Sequence, residues 1–365
     1  MMINSENERI KKMYLDRLKE PGGFSDDSIN SISGALLKYD QYSNSEDYGL
    51  MSPAKAVAFK KWLSEQQVRG RPISLTSNYH TLRHVRGFVK WLTGEPGFKI
   101  QNLRDSIDYL NLDQNQIREA TAPKYAESPS LEHTKQLVAS IDQSGEIGKR
   151  DAALIAYLLL TGMRDLAVAS FPIVCFDRTT LLIKQDPAKG VKTKRRKTIY
   201  SQLLQFDESL VRVVLNWYDY LVNEKQFKPT DPLFPQTDIR QSVGGYSFES
   251  RGVKPEFWQT ASPIRKIILD RSREANLPYF KPHLFRRAAI RLATPFAKNA
   301  EQIRALSQNF GHDNIGTTLM TYGMLDTHQV IEIVGKMDFG AVPKGKVDKA
   351  QIASMIAYLQ SLNDE

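Results

Sequence analysis

The whole chain holds one cysteine, Cys175, inside the apolar stretch "FPIVCF". A single thiol excludes an internal disulfide framework and any cysteine-rich zinc module. No apolar run approaches the roughly 18 residues that a membrane-spanning helix needs. The opening "MMINSENERIKKMYLDRLKE" is charged where a signal peptide would be apolar. Carboxylates do not cluster at metal-ligand spacing, no Walker-type glycine loop is present, and the histidines and lone cysteine supply no ligand set. These absences predict a cytoplasmic protein with no membrane partner, no metal and no cofactor.

What is present is ordinary in amount. At 365 residues, 41% hydrophobic and 25% charged, the chain is long enough for two soluble domains. The formal net charge of +9 favours a polyanionic partner, because neutralising phosphates releases condensed counterions.

The first third reads as helical. "SDDSINSISGALLKYD" offers Ser25 as a cap and sets Ile29, Ile32 and Leu36 on one face. "SPAKAVAFKKWLSEQ" opens with Ser52 as cap and Pro53 at the first helical position. "SLTSNYHTLRHVRGFVKWL" turns Leu75, Tyr79, Leu82, Val85, Val89 and Leu92 inward and leaves Arg83, Arg86 and Lys90 as a basic stripe. Such a stripe is ordinarily a solvated face; Arg69 and Arg71 in the preceding loop shift the reading toward phosphates. The stretch "EATAPKYAESPS", at about residues 119–130, has two prolines, small residues and no apolar period, so it reads as a linker. Domains are expected at 1–122 and 131–340, joined by residues 123–130.

Beyond the linker, "SLEHTKQLVASI" and "KRDAALIAYLLL" read as helices, the second buried on most sides. "FPIVCF", "TTLLIKQ" and "RRKTIYS" are short strand-like runs that predict one small antiparallel sheet between residues 171 and 201. The helical pattern then returns to the end of the chain. The expected fold is mainly α with a small antiparallel β-sheet.

Chemistry concentrates in four places. "LLLTGMRD" puts Arg164 after a buried helix and a Thr-Gly turn; "KPHLFRRAAI" sets His283 and Arg286 three apart, on one helical face. "AKGVKTKRRKTIY" is a basic hairpin, and "GHDNIGTTLMTYGML" places a glycine-histidine pair, with His312, ten positions ahead of Tyr322. Each alone has a bland explanation. Arginines at helix ends cap carboxyls, His/Arg pairs at this spacing arise by chance, basic hairpins are solvated, and a tyrosine is usually a core aromatic.

Taken in order across residues 161–322, the set resembles the boxes of the tyrosine recombinase (phage integrase) family. The resemblance implies a helical N-terminal core-binding domain and a recombinase-like catalytic domain. It implies that Arg164 is the first-box arginine, His283 and Arg286 the second-box pair, His312 the glycine-histidine element and Tyr322 the nucleophile. Lys189, Lys192, Lys194 and Lys197 compete for the hairpin lysine. Lys192, eight positions before Tyr200, is taken, with Lys189 in reserve. DNA contacts are expected from Arg69, Arg71, Arg83, Arg86, Lys90, Lys189, Lys194, Arg195 and Arg287.

Three departures from the family pattern stand out. An acidic residue three after the first arginine is common, but here Ala167 stands there and Asp165 adjoins the arginine. The interval from His312 to Tyr322 is ten rather than the usual nine. Arg287 replaces a frequent histidine.

The resemblance implies a site-specific recombinase that cleaves and rejoins DNA through a 3′-phosphotyrosyl intermediate, without metal or ATP. Integration or excision of a mobile element is the expected role. Partners are then double-stranded DNA, further copies of the chain (a dimer per site, a tetrameric synapse) and accessory DNA-bending proteins. Two alternatives remain open at this point: type IB topoisomerase-like relaxation, and a DNA-binding regulator with a decayed site. Finally, residues 341–365 join a Gly/Pro/Lys connector to "QIASMIAYLQSL", whose Ile352, Met355, Ile356, Leu359 and Leu362 share one stripe. A helix so short must be buried against something, here expected to be a neighbouring protomer, with its own catalytic domain as the alternative.

Overall fold

A computed structural model of the chain describes residues 4–68, 70–98, 100–122, 127–241, 248–312 and 316. Arg69, Tyr322 and the segments "HQVIEIVGKM" and "QIASMIAYLQSL" lie outside the described residues. The chain divides into two compact units, Met1–Lys124 and Tyr125–Glu365.

Unit one is helical: α1 (Ser5–Lys19), α2 (Asp26–Ser43), α3 (Pro53–Glu65), α4 (Leu75–Leu92), α5 (Gln101–Tyr109) and α6 (Gln114–Thr121). Two-residue strands β1 (Gln67–Val68) and β2 (Arg71–Pro72) pair antiparallel between α3 and α4. The helices begin where side-chain oxygens take orphan amides. Ser25, Ser52 and Ser74 accept from Ser28, Lys55 and Ser77 backbone N–H groups respectively. Because α6 runs to Thr121, the first residues of the stretch read as linker are helical. Leu36, Phe59, Leu63, Val85, Phe88 and Leu92 meet in the core. A buried carboxylate, Asp40, is compensated by Tyr48 Oη at 2.7 Å and Lys11 Nζ at 2.6 Å. The inward face of α4 differs from the expected one in its first turns. Leu75 and Tyr79 are half-buried while Asn78 and Thr81 take the buried positions, so the apolar stripe begins in earnest at Leu82.

Unit two contains α7 (Leu131–Ala139), α8 (Glu146–Thr161), α9 (Asp165–Ala169), β3 (Phe176–Asp177), β4 (Leu182–Gln185), β5 (Ile199–Gln202), α10 (Glu208–Asp219), β6 (Gln236–Gln241), β7 (Phe248–Lys254), α11 (Ser262–Glu274), α12 (Pro282–Ala293) and α13 (Ala300–Asn309). Its spine is α8, buried without a break from Arg150 to Thr161 and packed by α7, α10 and α12, as an all-round apolar helix must be. The expected three-stranded antiparallel sheet is β3-β4-β5, with Ile183 opposite Phe176 on one side and Ser201 on the other.

The β structure departs from expectation in two respects. "FPIVCF" is mostly not strand. Residues Ile173–Cys175 form a 3-10 turn whose amides at 173 and 174 bond the carbonyls of Asp231 and Pro229, and only Phe176 enters the sheet. The sheet is also not the sole β element of this unit, because β6 and β7 form a separate antiparallel hairpin. Its polar strands lack an apolar alternation. They are held instead from α8: Glu146 accepts from Val253 N at 2.8 Å, and Arg150 donates to Thr237 Oγ1 at 2.8 Å and Pro235 O at 3.2 Å.

Candidate active site

The site grows from the C-terminal end of α8. Gly162 ends that helix in the left-handed region, at φ 58°, and a Cβ there would lie 2.9 Å from the Phe310 ring. Gly311 is also left-handed, at φ 65°, and a Cβ there would meet Ile199 Cδ1 at 2.5 Å. Both positions therefore need glycine for conformation and for space. These are the glycines of the "TG" and "GH" motifs, and they bring two chain turns together around Phe310.

Arg286 bolts the two turns. From α12 its Nη1 donates to Gly162 O at 2.8 Å and its Nη2 to Phe310 O, with the guanidinium 5.8 Å from the Phe310 ring centroid. Among the described residues no carboxylate pairs with it. Burial first, and then the charge of Arg164, pushes its pKa down to about 9, so it remains protonated at neutral pH. Arg164 is half-buried as the extended N-cap of α9 and follows the buried Met163. Two guanidiniums thus share one neighbourhood at the end of the spine, a disposition that favours an anion.

The remaining candidates hang from the same elements. His283 is the second residue of α12, exposed, with a lowered pKa. Partial desolvation is the main cause, Lys281, Arg287 and Arg265 add to it, and Asp165 opposes it. The neutral imidazole is thereby favoured near pH 7, as a proton acceptor requires. His312 follows Gly311, half-buried; its backbone N–H donates to Ser307 O at 3.0 Å and its ring centroid lies 6.2 Å from that of Phe310. Helix α13, which leads to it, is clasped to β5: Ser201 Oγ donates to Asn309 O at 2.7 Å, and Gln202 N donates to Asn309 Oδ1 at 2.6 Å.

Lys192 lies between β4 and β5. Its backbone N–H donates to Ser170 Oγ at 2.8 Å, and its Nζ donates to Gln259 O at 3.3 Å. Ser170 is the C-cap of α9, so one five-residue helix carries Arg164 at its start and steadies Lys192 at its end. Lys189, exposed, closes a 3-10 turn before Gly190, while Lys194 and Arg195 lie on a second, exposed turn where Arg195 is left-handed at φ 58°.

Of the other cations expected to contact DNA, Arg71, Arg83 and Lys90 are exposed on unit one. Arg86 is not a free member of the stripe, because its Nη2 lies 3.7 Å from Asp108 Oδ1. Arg287 is half-buried on α12, and its charge acts on His283. Ser170 and Gln259, which hold Lys192, were missed from sequence. A backbone carbonyl leaves no signature in sequence.

The model of the phage integrase family matches residues 130–328, more than half of the chain. The chain belongs to the phage integrase family. Three solved structures show the fold of this integrase-family chain. The structure of a lambda integrase dimer bound to a COC′ core site aligns at a TM-score of 0.59 with 8% identity, covering 88% of this chain and 95% of that one. XerH site-specific recombinase bound to palindromic difH substrate aligns at 0.56 with 15% identity, over 85% of this chain and 79% of that one. The Tn1549 transposon integrase in complex with transposon right end DNA aligns at 0.53 with 12% identity, over 89% and 98%. A comparison with curated proteins finds no match. In this family member no helix among the described residues is long and apolar enough to cross a membrane, and no described cluster of His, Cys, Asp or Glu has the makings of a metal site.

Proposed function

We propose that this chain is a site-specific tyrosine recombinase that cleaves and rejoins DNA through a 3′-phosphotyrosyl intermediate, in the integration or excision of a mobile element. The observation that carries the reading is the pair of neighbouring guanidiniums, with Arg286 bound where the two glycine turns meet and Arg164 acting on it by charge from the start of α9. In this reading they grip the non-bridging oxygens of the scissile phosphate with donors that stay charged at neutral pH. Tyr322 attacks phosphorus, His283 accepts the phenol proton, His312 donates to a phosphate oxygen, and Lys192 protonates the departing 5′-oxygen. The phosphotyrosine conserves the energy of the broken bond, and a 5′-hydroxyl reverses the step. Exchange of this kind therefore needs neither ATP nor a metal.

The same reading makes the partners double-stranded DNA and further copies of the chain, a dimer on each site and a tetramer at synapsis, aided by accessory DNA-bending proteins. Direct repeats, where they flank the gene, are the candidate sites to test. A plasmid carrying two of them should yield recombinant product with the full chain. A chain ending before Val347 should still fill one half-site but lose cooperative filling and recombination, because the apolar stripe of the tail would dock on a neighbour. Relaxation of supercoils without any recombinant would favour topoisomerase action, and undiminished recombination by the shortened chain would return the tail to its own protomer.

For unit one, Arg83 and Lys90 are assigned to phosphates. Replacing both with glutamine should weaken binding alike on cognate and unrelated duplexes. The slope of log affinity against log salt should fall by about 1.8, the value for two lost phosphate contacts. Altered sequence preference at an unchanged slope would mean that these side chains read bases instead.

A further inference from the structure

Asp165, the residue after Arg164, shares its carboxylate between two directions. Oδ1 accepts from Leu166 N at 2.9 Å and so satisfies an amide at the start of α9. Oδ2 accepts from Arg265 Nε at 3.1 Å and Nη2 at 2.8 Å, reaching across to α11. The Asp165 side chain is 23% exposed and that of Arg265 56%. Helix α11 is itself fixed, because Arg271 donates to Asp151 Oδ2 on the α8 spine at 2.9 Å, where the Asp151 side chain is only 4% exposed. The approach to α11 also supplies Gln259, whose carbonyl receives Lys192 Nζ.

The charges that act on His283 come from three elements: Lys281 and Arg287 at its own helix, Arg265 from α11, and Asp165 from α9. Three are cations. Asp165 is the carboxylate that opposes them.

We propose that Asp165 and Arg265 are the positioning pair of this active site: they tie the residue beside Arg164 to α11 and hold one carboxylate at a fixed place near His283. The proposal rests on the reading that Arg164 and His283 serve strand cleavage. The pair orients Arg164 by anchoring the start of α9, and it sets the charge around the imidazole by balancing part of the surrounding cationic field. Because Arg265 is more than half exposed, a DNA phosphate can draw on its charge, which would leave more of the Asp165 charge to act on His283.

The test uses the full chain. The titration of His283 is followed by NMR, with its resonance assigned through His283→Gln among the six histidines. Asp165→Asn removes the opposing negative charge, so the pKa of His283 should fall by roughly half a pH unit or more. Arg265→Gln removes a cation and leaves the carboxylate unbalanced, so the pKa should rise by a similar amount. Arg265→Lys retains the charge and should titrate as wild type. A pair that only stiffens the fold moves the titration in neither direction.

Cleavage of a nicked duplex gives the second readout. The Asp165→Asn and Arg265→Gln variants should each be slowed roughly tenfold or more, as expected for a misplaced catalytic group. The double variant should be no worse than the slower single, since both remove one contact. Arg265→Lys should retain most of the rate. Equal titrations in both variants, shifts of the same sign, or wild-type cleavage by both would overturn the pairing role. If wild type itself forms no covalent complex, the proposed function fails, and the NMR arm still decides whether the pair sets the charge at His283.

Discussion

Tyr322→Phe is expected to bind DNA with wild-type affinity and to form no covalent complex. The loss should be at least about 10⁴-fold, because removing a nucleophile removes a whole reaction path rather than one stabilising contact. The prediction rests on placement. Tyr322 is eleven residues beyond Gly311, the left-handed turn seated on Ile199 and held beside Arg286 by the carbonyl of Phe310. A duplex nicked close to the crossover point traps the step, since the short 5′-hydroxyl fragment diffuses away before it can re-attack. Wild type should then migrate as a protein–DNA adduct on a denaturing gel, and the Tyr322→Phe variant as free protein. Binding measured in parallel matters, because a phenyl ring differs from the phenol only in its oxygen. An adduct of equal yield from the Tyr322→Phe variant would mean that another side chain attacks, and the assignment of Tyr322 would be withdrawn. A phenol is suited to this work through its chemistry. With a reference pKa of about 10 it is a poor nucleophile until a base takes its proton, and a good leaving group when the strand is resealed.

The parts of this fold that were legible in the sequence are those decided locally. Ser25 and Ser52 begin helices because their own side chains satisfy amides three residues on, a contact that needs nothing from elsewhere. The apolar run in α8 announced a buried helix because no face of it can tolerate water. The parts that were not legible depend on distant residues. The β6–β7 hairpin takes its support from Glu146, 107 residues before Val253, and its own sequence has no apolar alternation to betray it. On α4, the first turns present Asn78 and Thr81 inward although the apolar period pointed to Leu75 and Tyr79, so tertiary packing overrode the pattern. The site divides in the same way. Its residue types were visible as ordered motifs, and the two glycines could be suspected. That Arg286 directs its donors to the carbonyls of Gly162 and Phe310 could not be suspected, since a backbone acceptor has no residue identity.

Lys192→Ala is expected to lose about 10²- to 10⁴-fold in cleavage of ordinary DNA, the usual contribution of a general acid, and to recover on DNA with sulfur at the bridging 5′ position. The departing 5′-alkoxide is a strong base and needs a proton as the bond breaks, whereas a thiolate leaves without one. Rescue by sulfur therefore isolates the protonation step from binding and from charge stabilisation. The geometry makes Lys192 the proper subject of this test. Its backbone is pinned to Ser170 at the end of the helix that Arg164 begins, while its Nζ rests on a neutral carbonyl, Gln259 O, at 3.3 Å. A carbonyl holds an ammonium less firmly than a carboxylate would, so the side chain can be released to a substrate oxygen at small cost. Lys189, by contrast, closes the 3-10 turn that Asp186 caps. Arg164→Ala should gain nothing from sulfur, because in the proposed mechanism its guanidinium stabilises charge on the non-bridging oxygens, and that charge develops whichever atom departs. If Lys189→Ala is rescued and Lys192→Ala is not, the acid lies three residues earlier on the hairpin. If both arginine and lysine variants recover alike, sulfur is accelerating a step other than leaving-group protonation, and the division of labour between Lys192 and Arg164 fails.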